Sequence, residues 1–202
     1  YPGAYNEFIA VTAYAPDGLP TTYTNYNLGC NVAAPGGDFW ISGLHSYEYA
    51  YEGSVLSTLP AETVDPYSGK VYGTDYGYMQ GTSMACPHVS GIAALVVSYA
   101  VENGITLTNT QLYEIITSSV RNIDDRLTGT KVYGDNPGYN MGLDSYKGKM
   151  GTGKVDALMA VQSVRGALCI PAVVGKEVEI NISSLLGDGN IKVTSHSDYV
   201  IP

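Results

Sequence analysis

Gly81-Thr82-Ser83-Met84-Ala85-Cys86-Pro87-His88-Val89 runs without a break from a glycine turn into an apolar stretch. From Ser83 to about Glu102, Val89, Ile92, Ala93, Leu95, Val96 and Tyr99 recur at helical spacing, in a pattern wide enough for full burial. Asn103-Gly104 closes that helix as a C-cap. A serine at its start sits at the positive end of the helix dipole, among backbone N–H groups that have no partner within the helix. Such a place can stabilise an oxyanion. It is also where an ordinary serine N-cap belongs, and the position taken alone favours the cap.

Beyond this helix, Thr108 with Gln111 three residues on forms a capping-box pattern for a second helix, with Leu112, Ile115 and Ile116 on one face. Residues 121–150 are turn-rich and mostly polar, and Asp156 reads as the N-cap of a third helix from Ala157 to about Val164. Before the central helix, Phe8-Ile9-Ala10-Val11 reads as a short buried strand, and Asn31 to Gly36 as another stopped by Pro35-Gly36. Ser54 to Leu59 is a strand or extended segment; Pro60 to Tyr78 is a surface loop or hairpin of a length that tends to be functional. From residue 167 the texture turns to alternating strands, too few to bury a core. This tail, 167–202, is expected to open an all-β domain.

Gly81 to Val89 resembles the nucleophile signature of the subtilisin-like serine proteases. Tyr1-Pro2-Gly3 through Ile9-Ala10-Val11, the Ala34-Pro35-Gly36 turn and Gly151-Thr152-Gly153-Lys154-Val155-Asp156-Ala157 resemble further segments of that family, in family order from residue 1 to about 164. The resemblance implies an α/β three-layer fold with a largely parallel sheet, of which residues 1–166 are the C-terminal half. It implies a serine endopeptidase acting through an acyl-enzyme, with Ser83 as catalytic nucleophile. In the oxyanion region, the Ser83 N–H would be one donor, with Thr82 beside it. Gln80 stands where the family commonly has a smaller polar residue, and residues 37–79 exceed the family's usual connection.

The family's triad runs Asp, His, Ser along the chain. His45, Asp17, Asp38, Asp65 and Asp75 lack the motif context for the first two roles. His88, five residues after Ser83, lies about 140° further round a helix and is taken as structural. The His, the Asp and the second oxyanion donor, an Asn, are therefore expected from an upstream part of the same domain. The chain alone is expected to be inactive, and half a sheet to expose a strand edge and helix faces. The alternative is a catalytically inactive pseudo-peptidase scaffold, or a surface-binding module whose β-rich tail carries the function.

Composition sets the outer limits. Ten Lys and Arg against nineteen Asp and Glu give a net charge of −9, which argues against tracking nucleic-acid phosphates, while 45% hydrophobic residues argue against a disordered acidic tail. A polypeptide substrate is the expected partner. With 24 Gly and 18 Tyr but few Lys, an extracytoplasmic location, secreted or at the cell surface, is expected. Three cysteines show no zinc spacing, and Cys86 is expected to be a buried thiol. The longest apolar stretch, Gly91 to Val101, is about half of the ~20 residues a membrane span needs. No cofactor is required by the chemistry. Calcium is a candidate structural ion at Asp124, Asp125, Asp135, Asn136 and Asp144, against the reading of a solvated acidic loop. Gly148 to Lys154 fits the first positions of a phosphate-binding loop, but Val155 replaces the Ser or Thr that would hold Mg²⁺. A start at Tyr1 rather than Met is read as a chain cut from something longer.

Overall fold

The computed structural model describes residues 3, 5–39, 53–64, 69, 71, 73, 75–133 and 137–164. The chain divides into two compact units, Tyr1–Cys169 and Ile170–Pro202. The expected β-rich tail, with Cys169 and His196, lies outside the described residues, as do His45 and Asp65.

Two short strands start the fold. β1 (Val11–Tyr14) and β2 (Val32–Pro35) run parallel with Val11 opposite Val32 and Tyr14 opposite Pro35. β1 begins where the expected strand Phe8 to Val11 ends. A turn closed by the Phe8 N–H on the Tyr5 carbonyl, and an Asn31 Oδ1 that accepts the Ala10 N–H, use backbone groups a ladder would need; Phe8 is 52% exposed. β3 (Val55–Thr58) pairs antiparallel with β4 (Tyr76–Met79), which overlaps the end of the segment expected to be loop or hairpin. β4 leads directly into α1 (Thr82–Glu102).

After α1 come α2 (Asn109–Ser118), β5 (Val120–Arg121), β6 (Thr130–Lys131), β7 (Met141–Gly142), β8 (Lys154–Val155) and α3 (Ala157–Ser163). The main sheet has the order β1-β2-β8-β5, parallel except at β5. The three helices pack on one face, where Ala85, Val89, Val96 and Ala100 of α1 meet Ala13, Val32, Ala34, Ile116, Ala160 and Val164. Alanines at the strand–helix contact let the backbones approach closely. The other face carries Ala33, Ile123, Leu127, Leu143, Tyr146 and Met150, so residues 121–150 supply a second core.

Both short helices begin as their sequences imply. Thr108 Oγ1 accepts the Gln111 N–H at 3.2 Å, and Gln111 Oε1 accepts the Thr108 N–H at 2.9 Å. Asp156 caps α3 through the Met159 N–H at 3.0 Å and receives the Arg121 guanidinium at 2.6 Å. Burial alone would raise the Asp156 carboxyl, but the Met159 N–H and Arg121 outweigh it and hold it below the usual carboxylate range. A depressed carboxyl stabilises the fold above its unfolded pKa of about 3.9 and loses that contribution as pH falls through the lower folded value. Asp156→Asn keeps a cap and removes the charge. Because Arg121 is 59% exposed, the expected loss at pH 7 is only about 0.5 kcal/mol. Urea unfolding at pH 7 and at about pH 2 should show that loss at the first and its disappearance at the second.

The central helix is not fully buried, contrary to its sequence pattern. Leu95, Val97 and Val101 are 55%, 41% and 70% exposed, and Cys86 is exposed rather than a core thiol. They lie off the face that α1 turns to the sheet. With 21 residues, α1 is also long and apolar enough to cross a membrane by length and composition, which the stretch Gly91 to Val101 understates. Its buried face packs against β1 and β2, as a core helix does.

Candidate active site

Gly81, with φ +149°, is the N-cap of α1, and no side chain caps this helix. Ser83 therefore lies one residue inside the helix and does not cap it. The Met84 and Ala85 N–H groups already turn back to the Gly81 carbonyl at 2.9 and 3.2 Å, and Thr82 and Ser83 are exposed in front of them. Their own N–H groups precede the first intrahelical bonds, where the dipole favours negative charge.

Two hydrogen bonds fix the turn before the serine. The Gly81 N–H donates to the Gly36 carbonyl at 2.9 Å, and the Phe39 N–H donates to Gln80 Oε1 at 2.6 Å. Gln80 thus ties the turn to the chain leaving β2. Gly36 has no room for a side chain: a Cβ there would lie 2.5 Å from the Ala13 Cβ and 2.7 Å from the Tyr23 hydroxyl. That hydroxyl donates to the carbonyls of Gly36, at 2.8 Å, and Gly37. Burial, aided by the Asp38 charge, pushes the Tyr23 phenol up to about 12.

Beneath the turn lies a buried ionic cluster. Asp38 Oδ2 accepts the Thr22 N–H at 3.0 Å and the Tyr133 hydroxyl at 3.1 Å, with Lys131 Nζ at 3.7 Å. Lys131 Nζ also donates to the Pro20 carbonyl at 2.9 Å and faces Asp17 Oδ2 at 3.2 Å. Lys131 and Asp38 side chains are fully buried. Burial first, then the Asp38 charge, raise the Tyr133 phenol. Sequence reasoning passed over Lys131 and Tyr133, and weighed Asp17 and Asp38 only as catalytic acids. They are partners of Lys131 instead.

His88 Nδ1 sits 2.7 Å from the Met84 carbonyl, back along its own helix. Among the described residues no histidine is hydrogen-bonded to Ser83, and no three His, Cys, Asp or Glu side chains gather into a metal set. Asp124 Oδ2 accepts the Gly148 N–H and Asp125 Oδ1 the Asn122 amide, while Asp135 and Asn136 lie outside the described residues. Gly148 to Lys154 runs into strand β8, not a helix, and Lys154 Nζ lies over the Tyr14 ring. That arrangement lacks the helix N-terminus a phosphate loop uses.

A sequence profile of the Subtilase family matches residues 1–143. The chain belongs to the subtilase family. Among its curated relatives is the extracellular basic protease of Dichelobacter nodosus, 32% identical over 166 residues that make up 82% of this chain and 21% of that protein. Another is the major intracellular serine protease of Bacillus subtilis (strain 168), 35% identical over 103 residues, 51% of this chain and 24% of that protein. Among solved structures, a protease from Pseudoalteromonas arctica PAMC 21717 aligns with a TM-score of 0.53 at 29% identity, over 81% of this chain and 38% of that one. A lanthipeptide protease aligns with a TM-score of 0.55 at 20% identity, over 80% and 43%, a likeness of fold. The subtilase chain thus spans about a fifth to a quarter of these two curated relatives. Its fold is the subtilisin-like α/β class expected from the motifs.

Proposed function

We propose that the chain is the C-terminal part, residues 1–166, of a subtilisin-type serine endopeptidase domain, followed by the first strands of a β-rich domain. The observation that carries this reading is the exposed Ser83 one residue inside α1, free of a capping role, behind a turn fixed to Gly36. In the reaction, Ser83 Oγ attacks the carbonyl carbon of a polypeptide substrate while a histidine takes its proton. The C–N bond then breaks, the amine leaves with that proton, and water hydrolyses the acyl-enzyme. The Ser83 N–H faces the developing oxyanion, with the Thr82 hydroxyl beside it. In subtilisin itself, the source of the figure, one such side-chain donor is worth about 3–4 kcal/mol.

The histidine, its orienting aspartate and an asparagine donor come from an upstream segment, so residues 1–202 alone are inert: a serine without its base is a weak nucleophile. Calcium at the 121–150 loops is a structural ion at most, and the protein works outside the cytoplasm. A fluorophosphonate probe tests the reading. Full-length protein is expected to be labelled at Ser83, found by peptide mapping, and residues 1–202 alone to stay unlabelled. A folded full-length protein that resists labelling would instead be a pseudo-peptidase scaffold, and strong labelling of residues 1–202 would refute the division of the triad.

A further inference from the structure

We propose that Lys131 and Tyr133 are positioning residues for Ser83, acting through Asp38; the catalytic consequence rests on the peptidase reading above. The connection is continuous. Lys131 ends β6 and Tyr133 follows two residues later, so the β6–β7 hairpin (Thr130–Lys131 with Met141–Gly142) delivers both side chains to one carboxylate. Asp38 lies, with Gly37, between the two contacts that clamp the serine turn, Gly36 on one side and Phe39 on the other. Its own N–H is bonded to the Gly53 carbonyl at 2.7 Å. Held at backbone and side chain, Asp38 fixes the path of residues 36–39. That path fixes Gln80 and Gly81, three and two residues ahead of Ser83.

A buried carboxylate with one lysine and one tyrosine is a device of position more than of stability. Replacing such a cluster with well-packed apolar groups is often neutral for stability, whereas removing one partner leaves a buried charge that drags its surroundings toward water. Here those surroundings are the serine clamp. A displacement of about 1 Å at a catalytic group costs on the order of 100-fold in rate.

The test uses full-length protein with Lys131→Met, which takes the cation from both Asp38 and Asp17, and Tyr133→Phe, which removes a single hydroxyl from Asp38 alone and keeps the packing. Two readouts are taken well below the melting temperature: fluorophosphonate labelling rate with kcat and KM, and hydrogen exchange of the Gly81 amide. Expected are labelling and kcat about 100-fold lower for Lys131→Met and about 10-fold lower for Tyr133→Phe. KM should hold within about two-fold, and Gly81 exchange should quicken in both while α2 amides keep their protection. Unchanged labelling and Gly81 exchange in both folded variants would overturn the proposal. So would exchange that quickens by one common factor throughout the domain, the mark of a merely structural role. If wild-type protein takes no label, the peptidase reading fails, and the Gly81 exchange alone decides whether the hairpin holds the turn.

Discussion

Full-length protein carrying Ser83→Ala is expected to lose turnover by about a million-fold and to melt within about 1 °C of wild type. The first number follows from the triad logic: removing the nucleophile of subtilisin, where the figure originates, costs about as much as removing the whole triad. The second follows from the position of Ser83. Its side chain is exposed, and it caps nothing, because the helix starts at Thr82 with Gly81 as N-cap. Alanine is also the better helix former by a few tenths of a kcal/mol. A serine kept for structure would show the reverse pattern, with a large loss of stability and little loss of rate. Peptide hydrolysis and calorimetry on the same two proteins decide between them, and retained turnover would remove Ser83 from the chemistry.

That separation bears on how far this site was legible beforehand. Gly81 to Val89 betrays itself because a glycine turn, a hydroxyl pair and a helix must coincide within a few residues, and local sequence encodes all three. The caps at Thr108 and Asp156 are legible for the same reason: donor and acceptor lie three residues apart. Lys131 is the opposite case. In Thr-Lys-Val-Tyr it reads as a lysine in a polar segment, and only partners far along the chain, Pro20 at 111 residues and Asp17 and Asp38 beyond the same fold, make burial tolerable. The second core was missed for a related reason. Ile123, Leu127, Leu143, Tyr146 and Met150 sit on turns, 3₁₀ segments and loop, so no period of 2 or 3.6 announces them.

The sheet shows the same boundary between local and distant causes. β2 is legible because Pro35-Gly36 stops it, but β5 and β8 are two residues each, too short for any alternation to register. Only their pairing defines them. Where they pair is set in turn by glycines that no side chain could replace, one of which gives the second large expected effect.

Gly151→Ala is expected to destabilise the domain by about 2–5 kcal/mol. Two costs add. Gly151 has φ +83°, where an L side chain costs about 1–2 kcal/mol. A Cβ there would also lie 2.4 Å from the Val32 nitrogen, 2.5 Å from the Asn31 carbonyl carbon and 2.7 Å from its oxygen. All three are backbone atoms, so no rotamer relieves the overlap, and an overpacked core site costs about 1–3 kcal/mol or more. Relief by moving the loop fails as well. The Thr152 N–H and hydroxyl both bond the Asn31 carbonyl, at 2.8 and 3.0 Å, and the Ala33 N–H bonds the Gly153 carbonyl at 2.8 Å. These contacts join β2 to β8, which among the described residues is the only pairing that links β1-β2 to β5. Gly148→Ala is the control: φ is +67° with nothing within 4 Å, so it bears the backbone cost alone. Calorimetry of full-length protein is expected to show the subtilase-domain transition falling by about 10 °C for Gly151→Ala, and by no more than about 4 °C for Gly148→Ala. Equal shifts at the two positions would mean that the close approach of residue 151 to β2 contributes nothing, and that β8 is held in the sheet by other contacts.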